Sequence, residues 1–203
     1  MQLDPSTLAP RDAYRWMIAA VLPRPIAWIS TVNGAGQPNL APFSFFGGVT
    51  ADPPTVMLSV GRRKGVRKDT ARNLLETGEG VIHVPTRALA ERMVATSAEV
   101  GPEVDEFALV GLAQAPSVKV RPPRVLEAPL ALEARVERHV EVGRGPVDVF
   151  LLEVVWVHAD DAILVDGLPD PTLLAAVGRL GGEGYCDTSQ PFAVARPAPP
   201  RQK

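Results

Sequence analysis

The sequence predicts a mainly β protein, an antiparallel β-barrel with peripheral helices, and three observations support that fold class. Two long segments, 130–142 and 147–158, alternate or run apolar around Gly143 and Gly145, as antiparallel strands joined by a turn do. Four shorter segments are rich in β-branched and aromatic residues. Helical spacing of apolar residues is confined to three short stretches. Because strands outnumber helices, a barrel is favoured over a doubly wound parallel sheet.

The N-terminal part of the chain is predicted to form a helix, a hairpin and a third strand. Pro23 ends the first helical pattern, and the turn dipeptide Asn33-Gly34 separates the two strands of the hairpin. The predicted bounds are 11–21 for the helix and 26–32, 39–49 and 55–60 for the three strands.

A second helix follows a basic loop, so the order strand, loop, helix, strand results. Asp69 or Thr70 is its predicted N-cap, and Gly78 lies just past its end. The remaining predicted elements are this helix at 70–77, a strand at 80–84, a helix at 87–95, an acidic loop at 96–107 and a short strand at 162–165.

Length and composition bound the class of protein. The chain has 203 residues, of which 46% are apolar and 22% charged, which is the balance of a folded globular protein. We predict one domain over residues 1–195 and a flexible, proline-rich C-terminal tail at 196–203. No export signal is recognised, and no segment approaches the ~20 apolar residues of a membrane span, so we expect a cytoplasmic protein.

Cysteine and histidine usage argues against a metal site. Cys186 is the only cysteine, which excludes an intramolecular disulfide and any multi-cysteine site. The three histidines, His83, His139 and His158, have no cysteine or carboxylate at the spacing of a known metal motif. We therefore predict no metal ligands.

The basic loop is the first candidate site. Segment 61–72 holds six basic residues against one acid, in a chain whose formal net charge is −2. It leads into a helix N-terminus, where unpaired N–H groups and the helix dipole favour a phosphate. The candidate donors are Arg62, Lys64, Lys68, the Thr70 hydroxyl and the Asn73 amide.

This loop has two other interpretations, of which a solvated surface stays open and nucleic-acid binding is disfavoured. A basic run is often only a solvated surface that aids solubility. Nucleic-acid binding is disfavoured, because an acidic chain with one short basic stretch lacks an extended positive patch with interleaved aromatic residues. Neither a P-loop pattern nor a dinucleotide-binding glycine pattern is present, so a phosphate would be held in another way.

The second candidate site is the segment Asn39–Gly48, NLAPFSFFGG. An extended segment that meets two glycines allows a flat ring to approach the backbone closely. As a continuous strand it would place Phe43 and Phe45 on one face and Ser44 on the other, with its hydroxyl available to a polar ring edge. The alternatives are an ordinary apolar core and a β-bulge at the two glycines.

Four ordered blocks together resemble a known family. They are PRPIAWIST at 23–31, NLAPFSFF at 39–46, DPPTVM at 52–57 and KDTARN at 68–73. These blocks are similar to those of the flavin reductase-like proteins, which have an FMN-binding split barrel and include flavoredoxin as a close relative. The similarity continues through 95–98, 104–107, 119–123 and 177–182, so it covers most of the chain.

The resemblance implies FMN as cofactor and a homodimer with the flavin near the subunit interface. It places the segment matching Pro42–Phe45 against the flavin ring, and the segments matching 59–62 and 68–73 around the ribityl chain and phosphate. Arg179 and Tyr185 would close over the ring or the partner's site, with ordinary interface packing as the alternative. The predicted cofactor-binding residues are Asn39, Ala41, Pro42, Phe43, Ser44, Phe45, Ser59, Gly61, Arg62, Lys64, Lys68, Asp69, Thr70, Asn73, Arg179 and Tyr185.

The resemblance also implies an activity. The expected protein passes hydride from NADH or NADPH to FMN, and then electrons to free flavin, a ferric chelate or a protein acceptor such as a flavin-dependent monooxygenase. Because the flavin performs the electron transfer, no catalytic acid or base is predicted. The alternative is a flavoredoxin-like electron carrier that holds FMN and reacts slowly with nicotinamides.

Overall fold

The computed structural model describes residues 1–197, so the predicted tail lies outside the described residues from residue 198 onward. Five α-helices are present in this part of the chain: α1 (Pro10–Ala20), α2 (Asp69–Thr77), α3 (Ala90–Ala95), α4 (Glu106–Leu109) and α5 (Pro171–Leu174). The first seven strands are β1 (Arg24–Pro25), β2 (Ala27–Val32), β3 (Pro38–Phe43), β4 (Phe46–Ala51), β5 (Pro54–Val60), β6 (Glu79–His83) and β7 (Gln114–Ala115). The others are β8 (Arg124–Val125), β9 (Leu130–Val142), β10 (Val147–Ala159), β11 (Leu164–Val165), β12 (Leu168–Pro169), β13 (Val177–Arg179) and β14 (Tyr185–Asp187).

One antiparallel sheet of seven strands forms the body of the protein, in the order β3-β2-β6-β9-β10-β5-β4. β3 and β4 lie at opposite edges of this order, yet only Ser44 and Phe45 join them. Such a short connection requires the sheet to curl until its two edges meet, and β3 indeed approaches β5. The prediction of a mainly β barrel with peripheral helices is therefore confirmed.

Two apolar clusters hold the barrel and its helices together. The first fills the barrel and contains Ile29, Leu58 and Phe150, with Leu74 of α2 packed against them. The second lies on the other face of β2 and packs Trp28 against α3 and α4. β2 is consequently buried on both faces, and all six of its residues are buried, including Ser30 and Thr31.

The long hairpin and the basic-loop helix follow the sequence prediction closely. β9 and β10 pair over 130–142 and 147–159, and Gly78 ends α2 in a left-handed conformation. The predicted N-cap of α2 is wrong: the helix begins at Asp69, Lys68 occupies the N-cap position, and no side chain caps the first turn.

Three other expectations need correction. The run 39–49 is two strands, because the chain bends at Ser44–Phe45 to cross the gap between the sheet edges. Phe43 therefore faces the barrel core, while the Phe45 ring lies 6.4 Å from the Tyr14 ring of α1, so the two phenylalanines do not share a strand face. The helix predicted at 87–95 opens with a 3-10 turn over Arg87–Leu89, and the strand predicted at 162–165 is a 3-10 turn over Asp161–Ile163 followed by β11.

Within residues 1–197, none of the helices combines the length and apolar character needed to cross a bilayer.

Candidate functional site

Three depressions meet at Pro42 and Phe43 and together form one groove at the bend between β3 and β4. The first, of about 400 Å³, lies between the basic loop with the start of α2 and the segment 96–102. The second, of about 280 Å³, lies between α1 and the glycine-rich segment around Leu180. The third, of about 320 Å³, reaches Ser59 and Gly61 at the end of β5. Pro42 and Phe43 line all three, so we treat them as one site, the Pro42 groove.

The start of α2 forms the positively charged end of the groove. The first-turn N–H groups of this helix have no partner within the helix and no side-chain cap. The Lys68 ammonium lies 5.3 Å from the centre of the Phe43 ring. Burial lowers the pKa of Lys68, Arg63 lowers it further and Glu99 opposes the change. A helix N-terminus and a half-buried cation thus face the same space, which suits an anion.

Two arginines of the basic loop direct their guanidinium groups to Asp148. Arg62 lies outside the lining of the groove, whereas Arg67 is part of the lining of the first depression. Arg62 Nε lies 3.2 Å from Asp148 Oδ2, and Arg67 Nε lies 3.0 Å from Asp148 Oδ1. Both arginines also pair with Glu141. His139 Nε2 lies 2.9 Å from Asp148 Oδ1 and completes the cluster. This Asp148 cluster ties the basic loop to the β9–β10 hairpin.

The electrostatics of Asp148 fit an anchoring role. Its side chain is fully buried, and burial alone would raise the pKa of this carboxyl. Hydrogen bonds from Arg62, His139 and Arg67 outweigh burial and hold the pKa below its usual value. The carboxylate is therefore ionised at neutral pH and engages Arg62, which we had expected to contact phosphate.

The remaining cations of the loop divide into paired and unpaired ones. Arg63 pairs with Glu99 at 3.0 Å, and Arg72 pairs with Asp69. Within residues 1–197, no carboxylate lies within 4.0 Å of the Lys64 or Lys68 ammonium. Both lysines line the groove, so they are the cations available to a ligand.

A buried polar network lies under the first turn of α2. The Thr70 hydroxyl donates to Asn39 Oδ1 at 2.8 Å, and Asn39 Nδ2 donates to Glu106 Oε1 at 3.0 Å. Glu106 Oε2 accepts the Leu40 N–H at 3.0 Å. Burial raises the pKa of Glu106, although these hydrogen bonds oppose the rise. The network fixes β3 to α2 and α4. Because the Thr70 hydroxyl proton is donated to Asn39, the donor that Thr70 retains for a ligand is its backbone N–H.

Asn73 belongs to the same buried layer. Its Nδ2 donates to Thr31 Oγ1 at 3.0 Å, and the residue does not line any of the three depressions. Its amide thus joins α2 to β2, rather than reaching the groove.

At the opposite end of the groove, Ser44 and the glycine-rich segment face each other. Arg24 Nε donates to Ser44 Oγ at 3.3 Å, which leaves the Ser44 proton available to a ligand. The Arg179 guanidinium lies 4.5 Å from the Tyr185 ring centre and also hydrogen-bonds the Tyr185 hydroxyl. Both residues line the second depression with Ser44.

The structure brings fourteen of the predicted cofactor-binding residues to the groove and leaves Arg62 and Asn73 outside its lining. Sequence reasoning missed other lining residues. Thr96, Ser97 and Glu106 lie in two of the family-like blocks, 95–98 and 104–107, so that similarity was a usable signal. Arg24 lies in another of these blocks, 23–31, whereas Tyr14 gave no signal of its own, because helix packing brings it to the site.

The comparison with known families decides the classification. A family model described as the flavin reductase like domain matches residues 19–175. The chain belongs to this family. A protein of Halalkalibacterium halodurans without assigned function is 40% identical over 97% of this chain and 97% of its own length.

Solved structures confirm the fold. A protein with a split barrel domain from Shewanella frigidimarina superposes with a TM-score of 0.84 at 22% identity, over 98% of this chain and 100% of that chain. Nitrilotriacetate monooxygenase component B from Bacillus cereus superposes with a TM-score of 0.92 at 30% identity, over 96% of this chain and 98% of that chain. Flavoredoxin of Desulfovibrio vulgaris superposes with a TM-score of 0.75 at 26% identity, over 86% of this chain and 92% of that chain. The family resemblance inferred from the sequence blocks is therefore confirmed.

Proposed function

We propose that this protein binds FMN in the Pro42 groove and acts as an oxidoreductase that transfers hydride from NADH or NADPH to the flavin. The observation that carries the proposal is that the two ends of the groove differ. One end has an uncapped helix N-terminus and two lysines without a carboxylate partner, and the other has a donor hydroxyl. This arrangement suits a ligand with a phosphate at one end and a polar ring edge at the other. Membership in the flavin reductase like family supports a flavin as this ligand.

At the phosphate end, Lys68 and Lys64 supply charge, and the first-turn N–H groups of α2 supply directed donors. Asp148 acts indirectly, since it holds Arg62 and Arg67 and so fixes the loop from which Lys64 projects. Glu106 and Asn39 hold the floor of the groove to the start of α2.

At the ring end, Pro42 and Phe43 offer a flat apolar wall, and the Ser44 hydroxyl offers a hydrogen bond to a ring edge. Tyr14 and Tyr185 border the space above this wall. The flavin, when bound, supplies the hydride and electron chemistry. The residues of the chain then need only orient the ring, exclude part of the solvent and tune the flavin through nearby donors and cations.

The similarity to a monooxygenase component supports a role in supplying reduced flavin to a separate acceptor. We therefore propose free flavin, a ferric chelate or a flavin-dependent monooxygenase as the class of acceptor. A second candidate, a flavoredoxin-like carrier that keeps its FMN, is favoured by the similarity to flavoredoxin and by the lack of a separate nicotinamide-binding motif.

We further propose that the protein works as a homodimer. None of the residues of α1 is buried, and its Trp16 and Met17 are 48% and 50% exposed. Tyr14 on the same helix lines the groove, so a second copy packed on α1 would cover the ring end of the site. Sedimentation equilibrium tests this: a dimer mass is expected, and a monomer at micromolar concentration would contradict it.

The experiment that tests the activity is an anaerobic titration of the FMN-saturated protein with NADH and then NADPH. Rapid bleaching of the oxidised flavin absorbance supports the reductase and identifies its donor. A bound flavin that neither nucleotide reduces would favour the carrier. Failure to bind FMN would contradict both functions.

A further inference from the structure

Arg24 is a buried cation that no carboxylate neutralises. Its residue is only 4% exposed, and within residues 1–197 none of the aspartate or glutamate side chains lies within 4.0 Å of its guanidinium. A buried charge without a counter-charge is costly, so its retention calls for a reason. Arg24 lines the second depression of the Pro42 groove together with Ser44.

The hydrogen bonds of Arg24 hold three segments of the ring end together. Its Nη1 donates to the carbonyl oxygens of Ile18 at 2.7 Å and Val21 at 2.9 Å, which lie at the end of α1. Its Nη2 donates to the Leu180 carbonyl at 3.0 Å, in the glycine-rich segment. Its Nε donates to Ser44 Oγ at 3.3 Å.

A helix C-cap accounts for part of this pattern. The last carbonyls of α1 have no partner within the helix, and an arginine near a helix C-terminus is favoured by the dipole. Neutral carbonyls satisfy the N–H groups, however, and do not cancel a full positive charge. The bond to Ser44, which follows α1 by more than twenty residues in the chain, is also not part of the helix cap.

The bond between Arg24 and Ser44 has a directional consequence. Arginine has no acceptor, so Ser44 Oγ is the acceptor in this pair. The hydroxyl proton is then available to the groove, and Ser44 is fixed as a donor. The Phe45 ring, whose centre lies 5.9 Å from the guanidinium carbon of Arg24, lowers the cost of burying this charge but does not cancel it. A donor hydroxyl and a positive charge without a carboxylate partner therefore lie side by side at the ring end.

We infer that Arg24 is an electrostatic positioning residue for the flavin: it orients Ser44 as a donor and places a positive charge where reduction of the ring adds negative charge. The inference rests on the proposed function and deepens it. In a partly dehydrated site, fixed donors and cations stabilise such charge more than water does. Arg24 thus favours the reduced state of bound flavin.

The test is the midpoint potential of bound FMN, measured by equilibration with a reference dye, in the wild type and three variants. In Arg24→Gln, which removes the charge, we expect about a tenfold loss in the equilibrium for reduction, or a shift of about 30 mV to more negative potential for a two-electron couple. Arg24→Lys keeps the charge and should remain closer to the wild type. Arg138→Gln, an exposed arginine of β9, is the matched control and should leave the potential unchanged.

Each outcome has a defined meaning. If the Arg24→Gln protein folds and its bound FMN has the midpoint potential of the wild type, the inference is overturned and Arg24 is only a helix cap. If Arg24→Gln does not fold, Ser44→Ala decides, since it retains the cap: a more negative potential supports the inference and an unchanged one overturns it. A wild-type protein that binds no flavin would overturn the proposed function and this inference together, whereas bound flavin that nicotinamides do not reduce would affect only the reductase assignment.

Discussion

Replacing Lys68 by alanine separates phosphate recognition from ring recognition. Lys68 is the N-cap residue of α2, lines the groove and pairs with no carboxylate within residues 1–197. A hydrogen bond between charged groups contributes about 1.5–3 kcal/mol, and about 1.4 kcal/mol corresponds to tenfold in affinity. We therefore expect Lys68→Ala to raise the Kd for FMN by about tenfold to a hundredfold.

Riboflavin, which lacks the phosphate, should be affected much less. The affinity for riboflavin should change only through the lost contact between Lys68 and the Phe43 ring, which is worth about 0.5 kcal/mol or roughly twofold in Kd. The assay is quenching of flavin fluorescence by the apoprotein, at low and high salt. Because salt screens partly exposed charges, the FMN affinity of the wild type should fall with salt more than the riboflavin affinity does.

The matched control is Lys119→Ala. Lys119 also lies over an aromatic ring, 5.6 Å from the centre of Trp156, but it does not line the groove. Its loss should leave both affinities unchanged. Equal weakening of FMN and riboflavin by Lys68→Ala would refute the assignment of the phosphate end to α2.

Three further outcomes are expected. Asp148→Asn removes the charge that holds Arg62 and Arg67, so urea denaturation at pH 7 should show a free energy of unfolding lower than that of the wild type by about 1–3 kcal/mol. This difference should shrink as pH falls through the lowered pKa of Asp148 in the folded protein, and a difference that does not depend on pH would contradict the anchoring role. Burial lowers the pKa of His83 from 6.5 to about 4, so as pH falls the unfolded chain takes up a proton before the folded protein does. The free energy of unfolding should therefore fall by about 1.4 kcal/mol for each pH unit by which pH drops between these two values, and His83→Gln should lack this slope in the same assay. Glu106→Gln replaces an acceptor of two donated N–H groups, so calorimetry should show a lower Tm and fluorescence titration weaker FMN binding, and unchanged values for both would contradict its role in the groove floor.

Local patterns in the sequence predicted the elements that local physics determines. The β9–β10 hairpin agrees to within one residue, because alternation and the turn glycines are read within each segment. The end of α2 was predicted from Gly78, which adopts the left-handed conformation that glycine tolerates.

The features that the sequence did not reveal depend on contacts between distant residues. The break at Ser44–Phe45 follows from closure of the barrel, which no window of the sequence displays. Arg62 was expected at the phosphate, but its partner Asp148 lies 86 residues away in the chain. The charge of the loop was therefore visible in the sequence, whereas the division between anchoring arginines and available lysines was not.

A structure of the protein crystallised with FMN tests the central claim most directly. We expect the phosphate within hydrogen-bonding distance of Lys68 and the first-turn N–H groups of α2, and the ring against Pro42 with an edge at the Ser44 hydroxyl. A flavin bound elsewhere, for example in the apolar groove beside Val94 and Cys186, would contradict the assignment of the site.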